Sequence, residues 1–294
     1  MPTLLTACMP PSMGLTCGYV DAAESTGHWQ PRHSIVFSTR LTDTPTVATF
    51  VIVHGGWGGA WEWSGIAELL SRRGHVVSTP TLAGMGERSD LDLDKSIGLS
   101  THIDDVVAAV ENAQRPDVIL CAHSYGGMPV TGALDRIGPL VKRAIYLDAL
   151  VPSDGQSALD LLPGPFAESV RSAIRQDGAS VRIPIPPQLL PPGGLVDETI
   201  WAHYVERLRP QPAASFAEPI RLSGKTHPPA TYVRFTGFAL DESLGQDPIA
   251  MVAERVRKLG WDYLEVQGPH DAHLTNSQRL VELLHELSIK DATT

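Results

Sequence analysis

The sequence predicts an α/β fold: a mostly parallel sheet with helices on both faces and an inserted cap. Three observations carry that expectation. Short apolar runs alternate with stretches of helical spacing, a serine stands where one such run turns into a helix, and the alternation is interrupted once by a proline-rich stretch before it resumes.

Residues 1–45 scatter Pro, Gly, Ser and Thr with little periodicity, and read as an irregular N-terminal segment with one strand candidate at 34–38. Regularity begins in 46–151, the first part of the core. Thr49–Val53 is a continuous apolar run followed by a glycine-rich turn. Residues 63–73 have helical spacing and stop before Gly74, which suits a C-cap. A short strand at 75–78, a helix at 101–112, a buried strand at 117–121, a helix at 126–137 and a buried strand at 143–147 follow. Strands that alternate with helices pair in parallel and need cover on both faces.

Residues 152–225 break the pattern. They hold Ile183-Pro184-Ile185-Pro186-Pro187 and Leu190-Pro191-Pro192-Gly193-Gly194, with one helix expected at 197–208, and read as a cap insertion. The second part of the core, 226–294, resumes with a strand at 231–235, a helix over Pro248–Lys258, a strand over Asp262–Val266 and a helix at 277–287.

Composition narrows the function classes. Of the 294 residues 43% are hydrophobic and 19% charged, which suits a globular chain rather than a disordered one. The formal net charge of −10 and the lack of a dense Lys/Arg run argue against nucleic acid and anionic membranes as partners. No stretch is long and apolar enough to span a bilayer, and Leu5-Thr6-Ala7-Cys8 lacks the basic start and apolar run of an export signal. Three cysteines, Cys8, Cys17 and Cys121, show no metal-ligand spacing and are too few for a disulfide framework; a Cys8–Cys17 bridge would sit oddly with a context that reads as cytoplasmic. No metal and no cofactor is expected.

The chemistry centres on Val118-Ile119-Leu120-Cys121-Ala122-His123-Ser124-Tyr125-Gly126-Gly127. A buried strand runs into a serine and then into a helix that begins with two glycines, the pattern of a nucleophile elbow. Such a turn demands small residues two before and two after the serine; Ala122 stands where glycine is usual. A serine hydroxyl needs a base. Gly268-Pro269-His270-Asp271-Ala272-His273 follows a strand, and His270 lies nearer the strand end than His273. The acid that orients the imidazole is expected at Asp241, after strand 231–235, with Glu242 next to it and Asp148, after strand 143–147, as alternatives. A second glycine-rich turn, Val53-His54-Gly55-Gly56-Trp57-Gly58-Gly59, sets the amides of Gly56 and Tyr125 as oxyanion donors. It lacks the lysine of a phosphate-binding loop and a convincing dinucleotide fingerprint. Trp57, Phe238 and, on the cap helix, Trp201 and Tyr204 are candidates to line the substrate pocket.

These segments, with Thr81-Leu82-Ala83-Gly84-Met85-Gly86-Glu87-Arg88, Thr101-His102-Ile103-Asp104-Asp105-Val106 and His270-Asp271-Ala272-His273-Leu274-Thr275, resemble the small α/β-hydrolases that include plant methyl esterases, hydroxynitrile lyases and bacterial carboxylesterases such as pyrethroid hydrolases. The resemblance covers about residues 48–290. It implies an α/β-hydrolase fold, the triad Ser124–Asp241–His270, the oxyanion pair Gly56 and Tyr125, and cleavage of small-molecule carboxylic esters, apolar or aromatic ones, through an acyl-enzyme. Amide or lactone cleavage is the nearest alternative, and a ligand receptor without catalysis a more distant one. The lyases place a threonine after the first-strand histidine and a lysine after the catalytic histidine; Gly55 and Asp271 stand there in this chain, so the lyase reading loses its cation. A homodimer is left open.

Overall fold

The computed structural model describes residues 47–90, 96–162, 164–178, 180–185, 197–225, 227–237 and 247–290. Six strands form one parallel sheet in the order β2-β1-β3-β4-β7-β8: β1 (Thr49–Val53), β2 (Val76–Ser78), β3 (Val118–His123), β4 (Val141–Leu147), β7 (Ala230–Phe235) and β8 (Asp262–Val266). The connections carry α1 (Ser64–Arg72), α2 (Leu99–Asn112), α3 (Gly127–Ile137) and α7 (Pro248–Lys258). The chain closes with the short α8 (Ala272–Thr275) and α9 (Ser277–Ile289).

The period of two along the central strands sorts the core into two layers. Val51, Val53, Leu120 and Ala122 face α2, α3 and α7, where Val106, Val110, Met128, Leu134, Val252 and Val256 complete one cluster. Phe50, Ile52, Ile119 and Cys121 face the other way, against Trp63, Ile66 and Leu70 beside Leu280, Leu284 and Leu287 of α9. Both faces being covered, β1 and β3 are apolar along almost their whole length, and all their residues are buried. β2, at the edge, is largely exposed. The thiol of Cys121 is wholly buried in β3, and burial pushes its pKa far up.

Between β4 and β7 the chain adds no strand to this sheet among the described residues. It holds α4 (Gly164–Asp177), α5 (Glu198–Arg207), α6 (Ala213–Ala217) and a two-stranded antiparallel pair, β5 (Arg182–Ile183) with β6 (Gln211–Pro212). Helix α4, unforeseen in a stretch read as irregular, starts at Gly164-Pro165, a pair that suits a first turn because proline there gives up no needed donor. Asp197 caps α5 by accepting from the amides of Thr199 and Ile200 at 2.9 and 3.3 Å.

Because the sheet is parallel, the carboxyl ends of β1, β3, β4, β7 and β8 open on one edge. There lie the loop at 54–59, Ser124, Asp148 and the turn before His270. Clefts of this fold class form along that edge.

Candidate active site

Ser124 follows β3 directly and holds φ +52°, a left-handed conformation costly for a residue with a Cβ. The tight side of this elbow is on the helix. A Cβ at Gly126 would come 2.6 Å from the His54 carbonyl oxygen, and one at Gly127 would come 1.9 Å from that of Leu150. The alanine at 122 is wholly buried. The Leu150 amide donates to the Ser124 carbonyl at 2.9 Å, which ties the loop after β4 to the elbow.

That tie brings Asp148 to the site. Its side chain is 1% exposed, and its Oδ2 lies 2.9 Å from His270 Nδ1. The acid expected at Asp241, like its neighbour Glu242 and the pocket candidate Phe238, lies outside the described residues. The carboxylate that meets the imidazole is Asp148, and this corrects the expected pairing. The reason is geometric: β4 and β7 are adjacent, Leu147 is level with Val233, and a residue just beyond either strand end can reach the turn after β8. Asp148 also holds positive φ, +47°.

The Asp148 carboxylate is fully engaged. Oδ1 accepts from the Phe235 amide at 2.9 Å, and Arg234 donates to Oδ1 at 2.7 Å and to Oδ2 at 2.9 Å. Arg234 extends its other nitrogen to Asp247 Oδ2 at 2.6 Å, and Asp247 Oδ1 caps α7 through the amides of Ile249 and Ala250. Burial alone would push the His270 pKa down. The Asp148 hydrogen bond and charge outweigh it, and the net shift is upward from 6.5. With Nδ1 facing Asp148, Nε2 is the nitrogen left for proton transfer.

The glycine-rich turn after β1 is set by motif residues. His54 Nδ1 donates to the Gly55 carbonyl at 2.7 Å, while Nε2 accepts from the Leu82 amide at 3.1 Å; burial holds this ring neutral, with its pKa down to about 4. Asp105 accepts from the Ala83 amide and from Arg88. His102 bridges the Ala83 carbonyl and the Tyr125 hydroxyl, each at 2.9 Å. Three of the segments that carried the resemblance thus brace one another around Tyr125 and the turn. Gly56 lies against Tyr125, since a Cβ there would stand 3.7 Å from Tyr125 Cβ.

A cavity of about 100 Å³ joins these parts. Ser124, His270, Asp148, Gly56, Trp57 and Tyr125 all line it, and α5 contributes Tyr204. Trp201 does not stand on that wall. It lies one turn earlier on α5 and stacks behind Tyr204, with ring centroids 5.6 Å apart, so its expected pocket role becomes one of backing Tyr204. His273, the alternative base, is buried flat against Trp63 at 4.8 Å, with its pKa lowered to about 4 by burial. His123, Asp271 and His273 bring ligand atoms within 4.8 Å of one another. That is a looser set than the roughly 3.4 Å that bonds of about 2.1 Å in a tetrahedral zinc site require. Sequence reasoning missed Arg234, Gln211, His102 and Glu62. A charged residue inside an apolar strand, as in Ala230-Thr231-Tyr232-Val233-Arg234-Phe235, was the available signal for the first.

Comparisons with known proteins agree with this fold. The model of the alpha/beta hydrolase family matches residues 50–283. A carbendazim hydrolyzing esterase of Nocardioides sp. (strain SG-4G) is 33% identical over 250 residues, covering 82% of this chain and all of that protein. A putative chloroplastic methylesterase 11 of Arabidopsis thaliana is 32% identical over 133 residues, 45% of this chain and 34% of that protein. Among solved structures, an extracellular alpha/beta-hydrolase from a Paenibacillus species, described as sharing structural and functional homology with tobacco salicylic acid binding protein 2, superposes with a TM-score of 0.70 at 25% identity, over 83% of this chain and all of that one. The chain belongs to the α/β-hydrolase family. Within it, the protein is a carboxylic ester hydrolase. Among the described residues no helix is long and apolar enough to cross a membrane.

Proposed function

We propose that the protein cleaves small-molecule carboxylic esters through an acyl-enzyme, with Ser124 as nucleophile, His270 as base and Asp148 as the acid that orients it. The observation that carries this reading is the strained Ser124 at the β3–α3 junction, sharing a cavity with a histidine whose Nδ1 is held 2.9 Å from a buried carboxylate. Ser124 attacks the acyl carbon as His270 Nε2 takes its proton, and the amides of Gly56 and Tyr125 receive the charge that develops on the carbonyl oxygen. His270 then gives the proton to the leaving alcohol. A water, deprotonated by the same nitrogen, releases the acid. Each oxyanion donor is worth about 3–4 kcal/mol in the transition state.

Substrate size and polarity follow from the wall. Trp57, Leu150, Leu162, Ile185, Tyr204 and Phe216 all stand on it, so the ester body is apolar or aromatic. Each buried methylene adds about 0.8 kcal/mol of binding. The test is covalent. A fluorophosphonate should label Ser124 once per chain, read by mass spectrometry of the digested adduct. Ser124→Ala should lose labelling and at least about 10³-fold in kcat on an aryl ester, while melting at an unchanged temperature. Labelling elsewhere, or wild-type turnover by the variant, overturns the assignment.

A further inference from the structure

The cavity has one feature that the serine chemistry does not use. Glu62 stands on its wall, 7% exposed, in the stretch that follows Gly58 and Gly59. Its carboxyl lies flat on Gly58, where a Cβ would come within 2.2 Å of either oxygen. The Tyr204 hydroxyl and the Gly59 backbone reach this carboxyl, yet Oε2 has no hydrogen-bond partner among the described residues. Asp271, beside His270, lines the same wall, 5% exposed, and the Tyr204 hydroxyl also faces its Oδ1 at 3.5 Å. Two carboxyls and a phenol therefore converge in a cavity that is otherwise mainly apolar. A cation stands near Glu62: Arg207 of α5, whose guanidinium stacks over Trp61 at 4.3 Å.

A buried carboxyl oxygen with no partner is costly, and a chain that only needed to fill space would place a methionine or leucine there. The arrangement becomes favourable when a bound molecule donates to it. We propose that Glu62 and Asp271 form a specificity corner that accepts hydrogen bonds from an N–H-bearing group of the substrate, so that an otherwise apolar ester carrying an amine or an amide nitrogen is selected over its hydrocarbon counterpart. Burial, and after it the Asp271 charge, drives the Glu62 carboxyl well above its ordinary range; a donor at Oε2 stabilises the ionised form and offsets that cost. A purely apolar pocket discriminates weakly between molecules of like shape, whereas a pocket with a polar group to satisfy rejects those that cannot satisfy it. The inference rests on the ester-hydrolase reading of the same cavity.

The experiment uses three aryl acetates of matched size, ending in isopropyl, carboxamide or aminomethyl. kcat/KM is measured for the wild type, Glu62→Gln and Glu62→Met, and Kd for each ester with Ser124→Ala, which leaves the esters uncleaved. The wild type should favour the two nitrogen esters over the isopropyl ester by about tenfold or more in kcat/KM and in Kd. That ratio should fall toward one in Glu62→Met and drop in Glu62→Gln. Preference for both nitrogen esters identifies hydrogen bonding as the selector, and preference for the aminomethyl ester alone identifies charge. A wild-type ratio near one, or a ratio that neither variant moves, overturns the corner. If Glu62→Met does not fold, the wild-type ratio and Glu62→Gln decide. A binding preference in Ser124→Ala with no turnover of any ester by the wild type would uphold the corner and sink the acyl-enzyme mechanism instead.

Discussion

Trp57, Ser124 and Asp148 hold positive φ without glycine's freedom, and all three line the same cavity. Each such residue costs on the order of 1–3 kcal/mol, which the braces around it must offset. For Asp148 those braces are Arg234, the Phe235 amide and the imidazole itself. The expected consequence is a pH effect. In the proposed mechanism His270 must be neutral to take the Ser124 proton, and its pKa is raised above 6.5. kcat/KM should therefore climb with pH through a midpoint above 6.5 and then level off. Asp148→Asn removes the larger influences that raise the pKa and leaves burial, which lowers it, against the smaller effect of the Asp271 charge. Its limb should move to more acid pH while kcat drops by roughly 10³–10⁴. An unmoved limb in the pH–rate profile would show that another acid serves His270. The positions of Ser124 and His270 in the fold were legible because a strand, a serine, a helix and a histidine after a late strand fall in chain order. The acid was not, because β4 and β7 are neighbours and each is followed by an aspartate. Arg234, half-buried in a strand, needed a carboxylate at its own level, and Asp148 meets that need.

The insert and the glycine-rich turn are separate in sequence but stitched together through Trp57. Its amide donates to Gln211 Oε1 at 3.0 Å, its indole donates to the Ile183 carbonyl at 2.9 Å, and its carbonyl accepts from the Arg209 amide at 2.8 Å. Gln211, wholly buried, spends its other end on Ser215 Oγ at 2.7 Å. Gln211→Ala strands the Trp57 amide and takes one of two partners from the Ser215 hydroxyl, which keeps its bond to the Pro212 carbonyl. It should cost about 2–3 kcal/mol in urea unfolding and lower kcat at least about tenfold, because the turn next to Gly56 loses its anchor. A variant with lower stability but wild-type kcat would separate the insert from the turn. The strands and helices of the core were readable from periodicity, and Pro248–Lys258 and Asp262–Val266 fall where the pattern put them. Inside the insert the prolines masked α4 and the β5–β6 pair, whose partners are distant in sequence and leave no local period. Trp201 and Tyr204, three apart on α5, share a side of the helix by spacing alone; packing decides that Tyr204 faces the cavity.

Across the whole molecule, buried imidazoles set the acid limit. His54, His102 and His273 have folded pKa values lowered to about 4 by burial, against 6.5 for an ordinary histidine. Between those values the unfolded chain binds more protons than the folded one, so stability rises with pH there and is lost as pH falls from 6.5 toward 4. The three together give a slope of roughly 4 kcal/mol per pH unit, or about 10 °C of melting temperature per unit for a domain this size. Calorimetry between pH 7.5 and 4.5 should show a plateau and then that decline; a flat profile would mean the rings protonate in place. His270, raised rather than lowered, contributes in the opposite sense. The sheet carries its own clock for this opening. Cys121 sits in β3 between β1 and β4, with no exposed surface. In a chain with Cys8→Ser and Cys17→Ser, iodoacetamide can reach sulfur only when the central strands part. The alkylation rate should then match the rate or equilibrium of global unfolding rather than any loop motion. A single atom at the centre of the sheet would thus time, in minutes or days, how often the whole fold comes undone.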